Sequence, residues 1–101
     1  MISQSVIIPL IEQELAEANK SHPQFSSHHE AFAVLLEEVQ ETEFELNAVK
    51  KELYNFWEDV KADNDVTLDL LEIVSVRLIQ EAFQVAAMVR KAKKVNDREI
   101  L

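Results

Sequence analysis

Residues 27–62, SHHEAFAVLLEEVQETEFELNAVKKELYNFWEDVKA, contain neither glycine nor proline and place apolar side chains at alternating spacings of three and four. Phe32, Leu35, Val39, Thr42, Leu46, Val49, Leu53, Phe56 and Val60 make up the series, with Thr42 its only polar member. Such spacing is a heptad seam along one face of a long helix. Ser27 opens it as an N-cap, and Glu30, three residues on, completes a capping box. The helix is expected to run to about Ala62, roughly 50 Å at 1.5 Å per residue. A compact chain of this size has a radius of gyration of only about 13 Å. The helix therefore bends or breaks, with residues 55–59 (NFWED) the first place to look, or a second subunit covers its seam. A homodimer that completes a four-helix bundle is the simpler solution.

The flanking sequence extends the same reading. The chain has no glycine, two prolines and many Glu, Leu, Ala and Lys residues, a composition that favours helix throughout. A first helix is predicted over residues 5–19, with Ile7, Ile8, Ile11, Leu15 and Ala18 on one side. Pro9 is expected in or near its first turn, where no amide partner is lost. Residues 20–26 (KSHPQFS) form the main connector. The ADNDVT stretch at 62–67 ends the seam, and Asp65 or Thr67 is placed to cap a third helix over residues 68 to about 95. That helix ends in a basic group (Arg90, Lys91, Lys93, Lys94 and Arg98) that complements the negative end of the helix dipole. The expected fold is one all-α domain over residues 1–101, a long helical hairpin plus a shorter N-terminal helix. It assembles into a four-helix-bundle-like homo-oligomer. Tyr54, Phe56 and Trp57 are assigned to an interface or to the core, and His28 and His29 to the start of the second helix.

Composition removes several functions. Without cysteine there are no disulfides, zinc–thiolate sites or cysteine nucleophiles. Without glycine, a P-loop or a dinucleotide-binding loop is excluded, since both need backbone conformations that only glycine adopts cheaply. A net charge of −9 repels phosphate backbones and argues against nucleic-acid binding. Any polyphosphate ligand would need a divalent cation to bring it in. The first residues, MISQSVIIPLIEQEL, lack a basic segment, and Pro9 and Glu12 interrupt their apolar run. They read as neither a signal peptide nor a membrane span, so the expectation is a soluble cytoplasmic protein.

The acids carry the functional signal. Glu37, Glu38, Glu41 and Glu45 cluster on the second helix, where residues three and four apart are neighbours. Like charges at those spacings destabilise a helix by a few tenths of a kcal/mol per pair. Acid runs of this kind are most often solvated faces. Glu81 is more informative, since Val74, Leu78, Val85 and Met88 lie at −7, −3, +4 and +7 from it. A carboxylate within an apolar stripe must be paired, protonated or bound to a cation. Arg77, four residues earlier, is the ordinary partner. A divalent cation held between the two helices is the alternative, and Mg²⁺ favours a few carboxylates with water and phosphate oxygens.

The arrangement Glu-Glu-x-x-Glu on one helix, with a further Glu-x-x-Asp on the next, is the pattern of the all-α nucleoside triphosphate pyrophosphohydrolases. This chain resembles that MazG-like superfamily through HEAFAVLLEEVQE around Glu37, Glu38 and Glu41, and through EAFQVAAM from Glu81. The resemblance covers roughly residues 28–91. It implies hydrolysis of a nucleoside triphosphate to a monophosphate and pyrophosphate, with Mg²⁺ (or Mn²⁺) held by Glu38, Glu41 and Glu81. Glu37 would then be a base or an outer carboxylate, and Glu38 would share in catalysis. The resemblance also implies a homodimer or homotetramer. Two positions depart from the pattern. The interval from Glu41 to Glu81 is longer, and Gln84 stands where the family has Asp, supplying an amide oxygen without its charge. A helical binding protein of the same fold with impaired catalysis is the second reading, and a coiled-coil adaptor without metal the third.

Overall fold

The computed structural model describes residues 1–22 and 24–95. Three helices follow one another: α1 (Gln4–Asn19), α2 (His28–Lys61) and α3 (Asp69–Ala92). All three lie where periodicity places them, with differences at the ends that have local causes.

α1 begins one residue earlier than expected, and Pro9 falls inside it rather than in its first turn. The ring removes the amide that would have bonded the Ser5 carbonyl. The helix is already established upstream, because the Ser3 carbonyl accepts from the Val6 and Ile7 amides at 3.1 and 3.2 Å. The apolar stripe of α1 then holds it against α3, with Ile11 and Leu15 both buried.

α2 opens on half of the expected capping box. The Ser27 hydroxyl accepts from the Glu30 amide at 3.1 Å. The Glu30 carboxylate, however, turns to Ser26, accepting from its amide at 3.4 Å and its hydroxyl at 2.8 Å. From there α2 runs unbroken through 55–59 for 34 residues. It ends without glycine in a Schellman turn. Asp63 takes the left-handed conformation (φ 56°), the Asn64 amide bonds the Asp59 carbonyl, and the Asp63 amide bonds that of Val60. The hydroxyl of Thr67 accepts weakly, at 3.4 Å, from the Asp69 amide at the start of α3. α3 ends at Ala92, short of the expected 95. Arg98 lies outside the described residues.

α2 and α3 pack along their length as an antiparallel hairpin, and α1 lies against α3. Glu12 pairs with Arg90 and Glu14 with Gln84, contacts that tie α1 to the C-terminal half of α3. The core forms where all three meet. Ile11, Leu15, Ala87 and Met88 are buried, flanked by Val34, Leu35, Phe25 and Phe83. Ala87 is fully buried and its small side chain allows α1 to approach closely. The basic end of α3 is a fastening as much as a cap. Arg90 binds Glu12, and Lys91, only 5% exposed, donates to the His22 carbonyl with its ammonium 4.6 Å from the Phe25 ring centroid.

The heptad seam divides lengthwise. Leu35, Thr42, Val49 and Phe56 are half-buried, while Phe32, Val39, Leu46, Leu53 and Val60 are exposed. Thr42 is accommodated because its hydroxyl donates to the Glu38 carbonyl at 2.8 Å. Tyr54 and Trp57 are outside the core, at 63% and 55% exposure. The chain measures 65 × 27 × 22 Å with a radius of gyration of 17.9 Å, well above the value of about 13 Å for a compact chain of this length. No helix among the described residues is long and apolar enough to cross a membrane.

Candidate metal centre

The antiparallel register of α2 and α3 sets Glu41 opposite Glu81, one helical turn from Glu38. Glu38, Glu41 and Glu81 each present an oxygen such that all three lie within 4.8 Å of one another. Oxygens of one Mg²⁺ shell are separated by about 3 Å when adjacent and about 4.2 Å when opposite, from bonds of about 2.1 Å. The three carboxylates thus need only small rotations to share one hard cation.

The electrostatics are those of a site short of positive charge. The Glu38 carboxyl is pushed above its ordinary value first by burial, then by the charges of Glu41, Glu81, Glu37 and Glu14. Glu81 is raised by burial, then by the charge of Glu41, a hydrogen bond with it, and the charge of Glu45. Arg77 forms no ion pair with Glu81 among the described residues, so the ordinary partner is not used. The Oε2 of Glu38 is buried without a hydrogen-bond partner. Leaving an ionised oxygen in that condition is costly. A hard divalent cation would satisfy it, and the all-oxygen donor set fits Mg²⁺, Mn²⁺ or Ca²⁺.

The remaining candidates fall around this triad. Glu37 is exposed on α2, outside the convergent three, and reaches Glu38 only through its charge. Gln84, one turn beyond Glu81, donates its amide to the Glu14 carboxylate of α1. Glu14 is the residue that the reading of α2 and α3 overlooks, although a signal for it exists. Ile7, Leu10, Ile11 and Ala18 lie at −7, −4, −3 and +4 from it, the same interruption of an apolar stripe that marks Glu81. A hollow of about 410 Å³ opens beside the triad, lined in part by Glu38, Gln84, Phe25, Met88 and Lys91. Its walls combine acid, amide, aromatic ring and one ammonium. His28 and His29 are exposed at the start of α2, more than two turns before Glu38.

Comparisons of the chain with models of known protein families, with curated proteins and with solved structures returned no match.

Proposed function

We propose that the chain is a MazG-like, Mg²⁺-dependent nucleoside triphosphate pyrophosphohydrolase, cytoplasmic and homo-oligomeric. The observation that carries this reading is the convergence of Glu38, Glu41 and Glu81, with one buried oxygen of Glu38 left unpartnered. The resemblance of HEAFAVLLEEVQE and EAFQVAAM to that superfamily supplies the reaction. Glu38, Glu41 and Glu81 hold the cation, and the Gln84 carbonyl oxygen is available beside them. Bound Mg²⁺ supplies neutralisation of phosphate charge and acidification of the attacking water. Glu37, on the solvent side of Glu38, accepts the proton as the water oxygen bonds to the α-phosphorus and pyrophosphate departs. The adjoining hollow, within the usual size range of ligand pockets, receives the nucleotide, and Lys91 at its wall offers the charge that a phosphate requires.

Assembly follows from the open half of the seam. Val39 and Leu46 border an apolar groove between α2 and α3 with Ala82 and Val85. A second hairpin laid on that groove covers it and yields a four-helix bundle, either as a homodimer or as half of a homotetramer. Net charge disfavours nucleic acid as a partner.

The test has two parts. Calorimetric titration with Mg²⁺ or Mn²⁺ should show binding that Glu81→Gln abolishes. Pyrophosphate release should then appear across part of a panel of NTPs and dNTPs. No metal binding and no turnover at millimolar metal would overturn the reading. Gln84 favours a second one, a helical binding protein whose catalysis is impaired by the missing charge. It predicts binding of metal and nucleotide without pyrophosphate release, and recovery of release in Gln84→Asp.

A further inference from the structure

The charge missing at Gln84 is present a hydrogen bond away. Gln84 and Glu14 are 70 residues apart, and the packing of α1 on α3 joins them through the amide nitrogen of one and a carboxylate oxygen of the other. Both side chains are half-buried, and both line a hollow of about 290 Å³ with Glu81. Gln84 also lines the larger hollow with Glu38. It therefore borders both hollows, one shared with Glu81 and the other with Glu38. Glu14 makes no ion pair with a lysine or arginine among the described residues, whereas Glu12, two residues earlier on the same helix, pairs with Arg90.

An amide that donates through nitrogen is left with its oxygen as the free ligand atom. Carboxylates that hold a ligand in this way orient it and raise its basicity, and their loss typically weakens metal binding by about 10- to 100-fold. We infer that Glu14 is a positioning residue of the metal centre, fixing the Gln84 amide oxygen-first and contributing the anion that α3 lacks. The inference rests on the metal reading proposed above. It makes α1 part of the site, although the acidic motifs are confined to α2 and α3.

Mn²⁺ titration of the full chain tests it, with wild type, Glu81→Gln, Glu14→Gln and the exchange Glu14→Gln with Gln84→Glu compared. Circular dichroism and metal-free thermal melts confirm that each variant is folded. Glu14→Gln should bind Mn²⁺ about 10- to 100-fold more weakly. The exchange should return binding to within several-fold of wild type, because amide and carboxylate merely change sides of one hydrogen bond. A purely structural role would not be rescued by moving charge, so failure of the exchange to restore binding overturns the inference. So does Glu14→Gln binding like wild type while Glu81→Gln does not bind, an outcome that leaves the metal reading intact. Absence of binding by the wild-type chain at millimolar Mn²⁺ would instead remove the metal reading and this inference together.

Discussion

Glu38 and Glu81 hold their protons more tightly in the fold than an ordinary glutamate does, because burial and neighbouring acids penalise their charge. In the unfolded chain both titrate near 4.5, and in the native state at higher values. Between those limits the native state binds more protons, so stability falls as pH rises. Their favourable contribution is complete below about pH 4.5 and is lost as pH passes through the raised values. With EDTA present, Glu81→Gln should flatten this decline and raise the melting temperature at pH 7 by a few degrees, measured by calorimetry. An unchanged or lower melting temperature at pH 7 would show that the acids do not repel one another as described. Magnesium should raise the wild-type melting temperature at that pH by mass action and leave the variant unmoved.

The helices differ in how securely their ends are tied, and the ends make measurable predictions. Ser27 satisfies the Glu30 amide at the start of α2, so Ser27→Ala should cost about 1 kcal/mol in urea denaturation. At the other end, Asp63 holds a left-handed conformation in a chain that has no glycine at all. L-residues pay roughly 1–2 kcal/mol there, relieved for Asp by its short polar side chain. Asp63→Gly should therefore stabilise the hairpin by up to about 1 kcal/mol, whereas Asp63→Val should destabilise it. A loss of stability in the glycine variant would mean that the Asp63 side chain contributes more than its backbone conformation costs. α1 is held differently, through Ile11, Leu15 and the Glu12–Arg90 and Glu14–Gln84 contacts. Its position decides whether the acids of the hairpin acquire a fourth.

An elongated molecule with so shallow a core leaves many large apolar side chains exposed. The exposed row of the α2 seam recurs every seven residues from Phe32 to Val60, and α3 adds Leu70, Ile73 and Ile79 to the exposed apolar surface. Exposed apolar side chains in this number are what the proposed assembly would cover. Sedimentation at micromolar concentration should give a dimer or tetramer. Val39→Lys with Leu46→Lys should give a folded monomer, because two charges in the groove cannot be covered by an apolar row. A monomeric wild type would contradict the assembly.

Helix number, helix order and the hairpin were legible in the chain because they depend on local periodicity, turn residues and the want of glycine. Glu38, Glu41 and Glu81 were legible for a related reason, since clustered acids and an acid in an apolar stripe are visible within one turn or two. Pro9 was misplaced by that local logic, which cannot weigh one lost backbone bond against an apolar stripe seated on α3. Likewise, both rows of the α2 seam are apolar, and period alone could not say which row α3 would cover. Only tertiary packing turned Arg90 and Lys91 toward α1 and the connector, and brought Glu14 to Gln84 across 70 residues. Contacts at that separation follow from how three helices fit around Ala87 and Met88, and no short stretch of sequence encodes that fit by itself.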